Sequence, residues 1–216
     1  MVGVGSSAKG CSHRWRTPTP PRDSITRVRA ATRIRGRVPP QRTGRFRPRE
    51  RWPSNGPTRA RRRQVTGRVM LVCSPGGHLL ELLWLEPAYR DLDVTWVTLA
   101  SVDVEHLLGG RDVFLAHGPT NRSLGKLVRN LPCAWSLVRR RDPDVILATG
   151  AGLAVPFFLV GRLLKRRLVY VESLARAETL SLTGHLVYPL ADGFYVQWPQ
   201  FARRYRKARY AGSVLA

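Results

Sequence analysis

The sequence predicts an α/β fold in which helices cover both faces of a parallel β-sheet. From residue 68 onward, short apolar or β-branched runs of strand length alternate with longer stretches whose apolar residues recur at helical spacing. Two of the strand-like runs end in glycine-rich turns that lead directly into a helix, Ser74-Pro75-Gly76-Gly77 and Gly150-Ala151-Gly152. Repeated strand–helix alternation favours parallel strands joined by right-handed crossovers.

The first three strands and the helices between them follow from local signals. Residues 69–73 are five apolar residues that stop at a Ser-Pro-Gly-Gly break, and the leucines after His78 recur at helical spacing. Residues 93–98 are rich in β-branched side chains, which favours a second strand. The helix 101–108 is closed by two glycines, and the apolar residues 113–116 predict a third strand.

A longer helix is predicted at 123–141, with Ser123 as its N-cap and three arginines in its last turn. Pro132 falls in its middle and is expected to kink or split it. Its apolar face is predicted to consist of Leu124, Leu127, Val128, Leu131, Trp135 and Val138.

The same alternation continues to the end of the chain. Strands are predicted at 144–149, 168–172 and 193–197, with helices at 153–164 and from 180 up to a proline at 189. The uncharged run that covers the fourth strand and its helix is barely long enough to cross a bilayer. Its two glycines and its proline favour a strand, a turn and a buried helix, so no membrane-spanning helix is predicted.

The first 67 residues differ in composition from the rest of the chain. They hold 18 of the 37 Lys and Arg residues but only two of the 14 Asp and Glu residues, and they are rich in Arg, Pro, Gly, Ser and Thr. Such a segment buries too little apolar surface to offset the entropy lost on ordering. We therefore predict a disordered basic arm at 1–67 and a single folded domain at 68–216.

Three interpretations of the basic arm remain open. The arm binds nucleic acid, it lies on an anionic membrane surface, or it is translated from an upstream start and has no role. It lacks the apolar segment of a secretory signal. Met70 is the only other methionine and lies inside the first predicted strand, which favours the third interpretation, and no nucleic-acid partner is expected.

The candidate functional residues follow the carboxyl ends of the predicted strands, where parallel sheets bind their ligands. Gly76 and Gly77 lead into a helix N-terminus, whose backbone N–H groups suit a phosphate or another anion. His78 then either adds a hydrogen bond or moves a proton, or the segment is only a tight turn with a surface histidine. The turn lacks the features of a Walker loop or a dinucleotide fingerprint, and the cysteines lack zinc-site spacing, so neither cofactor nor metal is expected.

Five separated motifs together resemble one family of oligosaccharide biosynthesis proteins. They are Ser74-Pro75-Gly76-Gly77-His78, Thr149-Gly150-Ala151-Gly152, Tyr170-Val171-Glu172-Ser173-Leu174-Ala175-Arg176, Leu180-Ser181-Leu182-Thr183-Gly184 and Val196-Gln197-Trp198-Pro199. The family includes the membrane-anchoring subunit of the dolichol-linked N-acetylglucosaminyltransferase and bacterial exopolysaccharide relatives such as glucuronosyltransferase subunits. The resemblance covers residues 68–216. Eukaryotic members begin with a membrane-spanning helix, whereas this sequence begins with a polar, Arg-rich arm.

The resemblance implies a Rossmann-like domain that is the N-terminal, acceptor-binding half of a glycosyltransferase-B fold. A nucleotide-sugar-binding subunit on a separate chain is the implied partner, and a lipid-linked diphosphate sugar is the implied acceptor. The sequence stops where a one-chain enzyme would enter its second domain, so we expect no activity from this chain alone. The implied location is the cytoplasmic face of a membrane.

The site residues expected from this resemblance fall into four groups. The candidate bases are His78 and Glu172, although a carboxylate at the end of a strand can also cap the next turn. The acceptor phosphates are expected to contact Ser74, Gly76, Gly77, Gly150, Gly152 and Arg176. Gln197 and Trp198 are expected to contact a sugar or the partner chain. Arg162, Lys165, Arg166 and Arg167 are expected at the membrane surface, although a basic helix C-terminus is also ordinary in a soluble domain.

Overall fold

The computed structural model describes residues 67–118 and 124–215. Residues 1–66 of the predicted basic arm and the predicted N-cap Ser123 lie outside the described residues. The strands are β1 (Arg68–Val72), β2 (Asp93–Thr98), β3 (Val113–Leu115), β4 (Val145–Thr149), β5 (Arg167–Val171), β6 (Gly193–Val196) and β7 (Ala208–Tyr210). The helices are α1 (Gly77–Trp84), α2 (Glu86–Tyr89), α3 (Val102–Leu107), α4 (Leu124–Arg141), α5 (Ala154–Leu163), α6 (Leu182–Val187) and α7 (Pro199–Arg204).

The seven strands form one parallel sheet in the order β3-β2-β1-β4-β5-β6-β7. β1 pairs with β2 on one side and with β4 on the other, so the direction of the chain across the sheet reverses at this pair. Right-handed crossovers on the two sides of such a switch point place their helices on opposite faces and leave a crevice at the carboxyl ends of the strands. The predicted doubly covered parallel sheet is therefore confirmed.

Alternate residues of β1 point into two separate hydrophobic clusters. Val69 and Leu71 pack in a cluster with side chains of α1, α2 and α3. Met70 and Val72 pack in a larger cluster with side chains of α4, α5, α6 and α7. We call these the α1–α3 layer and the α4–α7 layer. The two-residue alternation of a strand that is buried on both faces thus places one helical layer on each side of the sheet.

The prediction for the buried face of α4 was wrong, because Val128 and Trp135 are exposed. The helix runs from Leu124 to Arg141 without a split at the exposed Pro132, whose missing N–H leaves the Val128 carbonyl without its helical partner. The residues that face the sheet are Asn130, Cys133, Ala134, Leu137 and Val138.

Two short elements near the end of the chain were not predicted. Helix α7 begins at Pro199, a residue that suits the first turn of a helix, and β7 adds three residues to the edge of the sheet. No helix in the described parts of the chain combines the length and the apolar character needed to span a bilayer.

Replacing a buried and an exposed tryptophan tests the packing. Trp96 is 1% exposed and meets Tyr89 edge-to-face at 6.1 Å, so Trp96→Ala should lower the free energy of unfolding by about 3–5 kcal/mol. Trp135 is 42% exposed, so Trp135→Ala should cost about 1 kcal/mol or less. Urea unfolding of the two variants measures both values, and equal losses would contradict the assigned orientation of α4.

Candidate functional site

The N-terminus of α1 lies at the carboxyl end of β1, beside the switch point where sheets of this topology form a crevice. Gly76 has φ +80°, a conformation that favours glycine, and its carbonyl accepts the first helical hydrogen bond from Leu80 N–H at 3.1 Å. No side chain caps the helix. The first N–H groups of α1, where the sequence analysis predicts an anion contact for Gly76 and Gly77, therefore have no side-chain cap, and Ser74 lies partly exposed just before them.

The second glycine turn lies directly against this helix N-terminus. The ring of His78 occupies the space that a β-carbon on Gly150 would need. The Thr149 hydroxyl donates to the His78 carbonyl at 2.8 Å, which fixes the end of β4 to the start of α1. Gly150 and Ala151 both have positive φ, and the strain of such a conformation at Ala151 is common at functional sites. The structure thus brings together two of the predicted motifs.

Glu81 is a site residue that the sequence analysis missed. It is 5% exposed, and its Oε2 lies 3.5 Å from His78 Nδ1. Its Oε1 accepts hydrogen bonds from Ser173 Oγ and from Leu174 N–H, both at 2.9 Å. The i,i+3 spacing of His78 and Glu81 on a helix was a readable signal for their contact, whereas the link to Ser173 is not visible in the sequence.

Glu172 is buried and occupied by contacts inside the chain. It is 1% exposed; Oε1 accepts from Ser173 N–H at 3.1 Å, and Oε2 accepts from Ser181 N–H at 3.0 Å and from Ser181 Oγ at 3.1 Å. Ser181 Oγ in turn accepts from Gly184 N–H at 2.9 Å and caps α6. A side chain at Gly184 would overlap Glu172 Oε2. These contacts favour the capping role for Glu172 over that of a base.

The remaining site residues predicted at the carboxyl edge of the sheet differ in exposure. Gln197 is buried; its amide donates to the Glu172 carbonyl at 3.2 Å and accepts from Val214 N–H at 3.0 Å, so it fastens the end of the described chain. Trp198 is partly exposed, and its indole N–H donates to the Leu174 carbonyl at 2.9 Å. Arg176 is exposed on the loop that follows β5, and Gly152 lies partly exposed before α5.

The predicted membrane cations lie at the opposite, amino edge of the sheet. They surround the start of β5, whose five residues separate them from the candidate site by about 17 Å. Arg162 pairs with Asp192 at 3.4 Å, and Arg166 pairs with Asp142. The hydrogen bond from Arg68 and the charge of Arg166 hold the pKa of the Asp142 carboxyl below its ordinary value. Lys165 and Arg167 are exposed.

A nucleophilic thiol and a metal site both find little support among the described residues. Cys73 ends the first strand region, but burial raises the pKa of its thiol to about 12, which disfavours the nucleophilic thiolate. No group of three or more His, Cys, Asp or Glu side chains in residues 67–118 and 124–215 is arranged to hold a metal ion.

Comparison with known sequences gives a consistent set of relatives. Residues 111–214 match the family described as "Oligosaccharide biosynthesis protein Alg14 like". The chain is 36% identical over 181 residues to UDP-N-acetylglucosamine transferase subunit ALG14 of Eremothecium gossypii, a match that covers 68% of this chain and 80% of that protein. It is 40% identical over 180 residues to the Debaryomyces hansenii protein of the same name, covering 68% and 76%. The match to human ALG14 is 39% identical over 88 residues and covers 38% and 41%.

Solved structures similar to the chain share its fold. MurG of Acinetobacter baumannii has a TM-score of 0.52 at 18% identity, with 62% of this chain and 42% of MurG covered. The S. aureus MnaA–UDP co-structure has a TM-score of 0.57 at 13% identity, with 69% and 46% covered. At such low sequence identities, structural similarity shows the fold alone. It confirms the predicted likeness to half of a glycosyltransferase-B fold. The chain spans less than half the length of each of these two structures.

An alanine at Gly150 tests the contact between the two glycine turns. Gly150→Ala should lower the free energy of unfolding by about 1–3 kcal/mol, because alanine is strained at φ +48° and its β-carbon would displace the His78 ring. The matched control is Gly125→Ala on the exposed side of α4, where nothing lies within 4 Å and helix propensity should add up to about 1 kcal/mol. Thermal or urea unfolding, together with the NMR signals of the His78 ring, measures both; unchanged ring signals in Gly150→Ala would contradict the contact.

Proposed function

This chain belongs to the Alg14-like family of oligosaccharide biosynthesis proteins, and we propose that it is the acceptor-binding subunit of a two-chain glycosyltransferase. Family membership makes it a glycosyltransferase subunit. Its role toward the acceptor, the partner chain and the membrane is our proposal. The observation that carries the proposal is the junction of the α1 N-terminus with His78 and Gly150 in the crevice at the switch point.

The junction suits an acceptor that combines a diphosphate with a sugar hydroxyl. The first N–H groups of α1 and the positive end of its dipole attract phosphate oxygens, and exposed Arg176 supplies a cation at the same edge. The His78 ring is partly exposed and lies at the helix start, within reach of a group bound there. Anion binding and proton transfer are thus available at neighbouring atoms.

Of the two carboxyl-edge candidates for the base, we assign the role to His78. Both oxygens of Glu172 accept hydrogen bonds from the chain itself, whereas His78 is partly exposed at the crevice. In the proposed step, His78 takes the proton of the acceptor hydroxyl, and the hydroxyl oxygen bonds to the anomeric carbon of the donor. The bond from that carbon to the diphosphate breaks and its electron pair leaves with the nucleoside diphosphate. The protonated histidine later releases its proton to water.

A second chain is proposed to bring the nucleotide sugar. The relatives from Eremothecium gossypii and Debaryomyces hansenii are named as subunits of a UDP-N-acetylglucosamine transferase, which supports a partner and suggests this donor. The described sheet also corresponds to less than half of each solved structure reported above. We place the partner across the carboxyl edge, where the partly exposed Trp198 is available for contact and the buried Gln197 is not.

The distribution of charge between the two helical layers supports a membrane contact. Helices α1, α2 and α3 contain four acidic residues and no Lys or Arg, whereas α4, α5, α6 and α7 contain eight Lys and Arg residues and no acid. The α4–α7 layer also exposes large apolar side chains, namely Val128, Trp135, Leu159, Leu163, Leu182 and Leu186. An apolar surface bordered by cations fits the interface of an anionic bilayer.

This charge distribution changes the membrane contact expected from sequence. Of the four predicted cations, Arg162 and Arg166 have carboxylate partners inside the domain, while Lys165 and Arg167 remain exposed. We therefore propose that the exposed side of the whole α4–α7 layer lies on the membrane, with Lys165 and Arg167 at its amino-edge border.

Reconstitution of transfer tests the proposed function. The chain alone should neither hold UDP-N-acetylglucosamine nor turn it over, and transfer of labelled sugar to a lipid diphosphate acceptor should require a co-expressed nucleotide-sugar-binding chain. His78→Ala should lower kcat by about 100- to 10,000-fold without loss of assembly, because it removes the proton acceptor. His106→Ala, on the exposed side of α3, is the matched control and should retain full activity. Transfer by the chain alone would contradict the division of labour.

Two leucines that end helices in opposite layers test the membrane surface. Leu163 is the last residue of α5 and 72% exposed, whereas Leu107 is the last residue of α3 and 41% exposed. Leu163→Asp should weaken binding to vesicles of phosphatidylcholine and phosphatidylserine about tenfold or more, because it removes an apolar side chain from the membrane contact. Leu107→Asp should not. Flotation at high ionic strength screens the charge of the arm, and equal effects of the two changes would contradict this orientation.

A further inference from the structure

We propose that Glu81 is a positioning residue that holds neutral His78 in the tautomer with its proton on Nδ1. Nε2 then carries the lone pair and is the atom that accepts the proton of the acceptor hydroxyl. The tautomer follows from the geometry of this chain alone. Its use in transfer rests on the proposed function.

His78 Nδ1 and Glu81 Oε2 lie next to each other in a buried part of the site. His78 Nδ1 and Glu81 Oε2 are buried, lie 3.5 Å apart, and have no hydrogen bond to any other group in the described residues. An ionised carboxylate only accepts hydrogen bonds, and a neutral imidazole has one donor nitrogen and one acceptor nitrogen. The proton must therefore be on Nδ1, because two lone pairs facing each other in a buried site would repel.

The carboxylate of Glu81 is held in place at its other oxygen, Oε1. Ser173 Oγ and Leu174 N–H both donate to Oε1, so the carboxylate cannot rotate without breaking two hydrogen bonds, one of them buried. Oε2 is thereby kept facing the ring. The backbone of Gly150 also lies against the imidazole, and it leaves no room for a side chain between them.

Oε2 of Glu81 has no hydrogen-bond partner among the described residues. A buried carboxylate oxygen without a donor lowers the stability of a fold, because the group has lost its water and gained nothing in return. Glu172, at the same edge of the sheet, has donors on both oxygens, so this part of the fold is able to satisfy a carboxylate fully. The free Oε2 of Glu81 is explained if its partner is the Nδ1–H of His78, whose contact shortens when an acceptor is bound.

The Glu81→Gln change reverses this contact while keeping its shape. The two donors at Ser173 and Leu174 require an acceptor at the Oε1 position, so the oxygen of the new amide must lie there. The NH2 group of the amide then faces His78 Nδ1 and donates to it. Nδ1 becomes the acceptor, the proton moves to Nε2, and the ring can no longer take a proton from the substrate, as in the carboxylate-to-amide change of a serine-protease triad.

The test is ¹⁵N NMR of the imidazole rings of the full chain, with the His78 signals assigned by their loss in His78→Ala. At a pH where the ring is neutral, the wild-type protein should show a protonated Nδ1 and an unprotonated Nε2, and Glu81→Gln should show the reverse. Ser173→Ala, which leaves Leu174 N–H on Oε1, is the matched control and should keep the wild-type pattern. A wild-type Nε2–H pattern would overturn the proposal whether or not the glutamine variant folds, and so would an unchanged pattern in a folded Glu81→Gln.

Transfer by the reconstituted pair supplies the second measurement. Glu81→Gln should lower kcat by about 100- to 10,000-fold with little change in the KM for the acceptor, because the proton acceptor is lost and the anion contacts remain. A switched tautomer with full activity would overturn the positioning role. Loss of activity with an unchanged tautomer would do the same. If the wild-type pair shows no transfer at all, the proposed function fails, whereas the tautomer measurement still decides the assignment to Glu81.

Discussion

The candidate site depends on one close contact, that of the His78 ring with the bare backbone of Gly150. It forms where β1 and β4 lie side by side and where the chain reverses its direction across the sheet. The helices that follow these strands leave on opposite faces, so their N-terminal turns face each other across the crevice. Any side chain at position 150 would overlap the His78 ring. The glycine is therefore a requirement of the close approach and not only of the turn.

Two buried glutamates at the carboxyl edge show how similar residues acquire different roles. Glu172 receives hydrogen bonds on both oxygens and fixes Ser181 at the start of α6, which is a structural task. Glu81 receives hydrogen bonds on one oxygen and presents the other to His78. Both carboxylates bond to Ser173, so the loop after β5 supports the cap of α6 and the orientation of the histidine at once.

The extent to which the sequence predicted this structure follows from the range of each interaction. Strand–helix alternation was readable because it depends on periodicity within about ten or twenty residues, and the parallel sheet followed from it. The inward face of α4 was misread because apolar residues lie on both sides of that helix, and small side chains such as Ala134 lie at the sheet while Trp135 points outward. The contact of Glu81 with Ser173 spans 92 residues and depends on the packing of α1 against the end of β5, so no local pattern could reveal it.

The two helical layers that border the crevice differ in charge. It lies where the α1–α3 layer, whose helices are acidic and without Lys or Arg, meets the α4–α7 layer, whose helices are basic and without acids. A ligand that is anionic at one end and apolar at the other can contact the α1 N-terminus while the rest of it follows the exposed apolar side chains of the basic layer. A water-soluble nucleotide has no apolar tail that could bind to such a surface. In the proposed function these two sides of the domain have separate tasks: the lipid-borne acceptor would approach along α4–α7, and the donor would arrive at the open carboxyl edge.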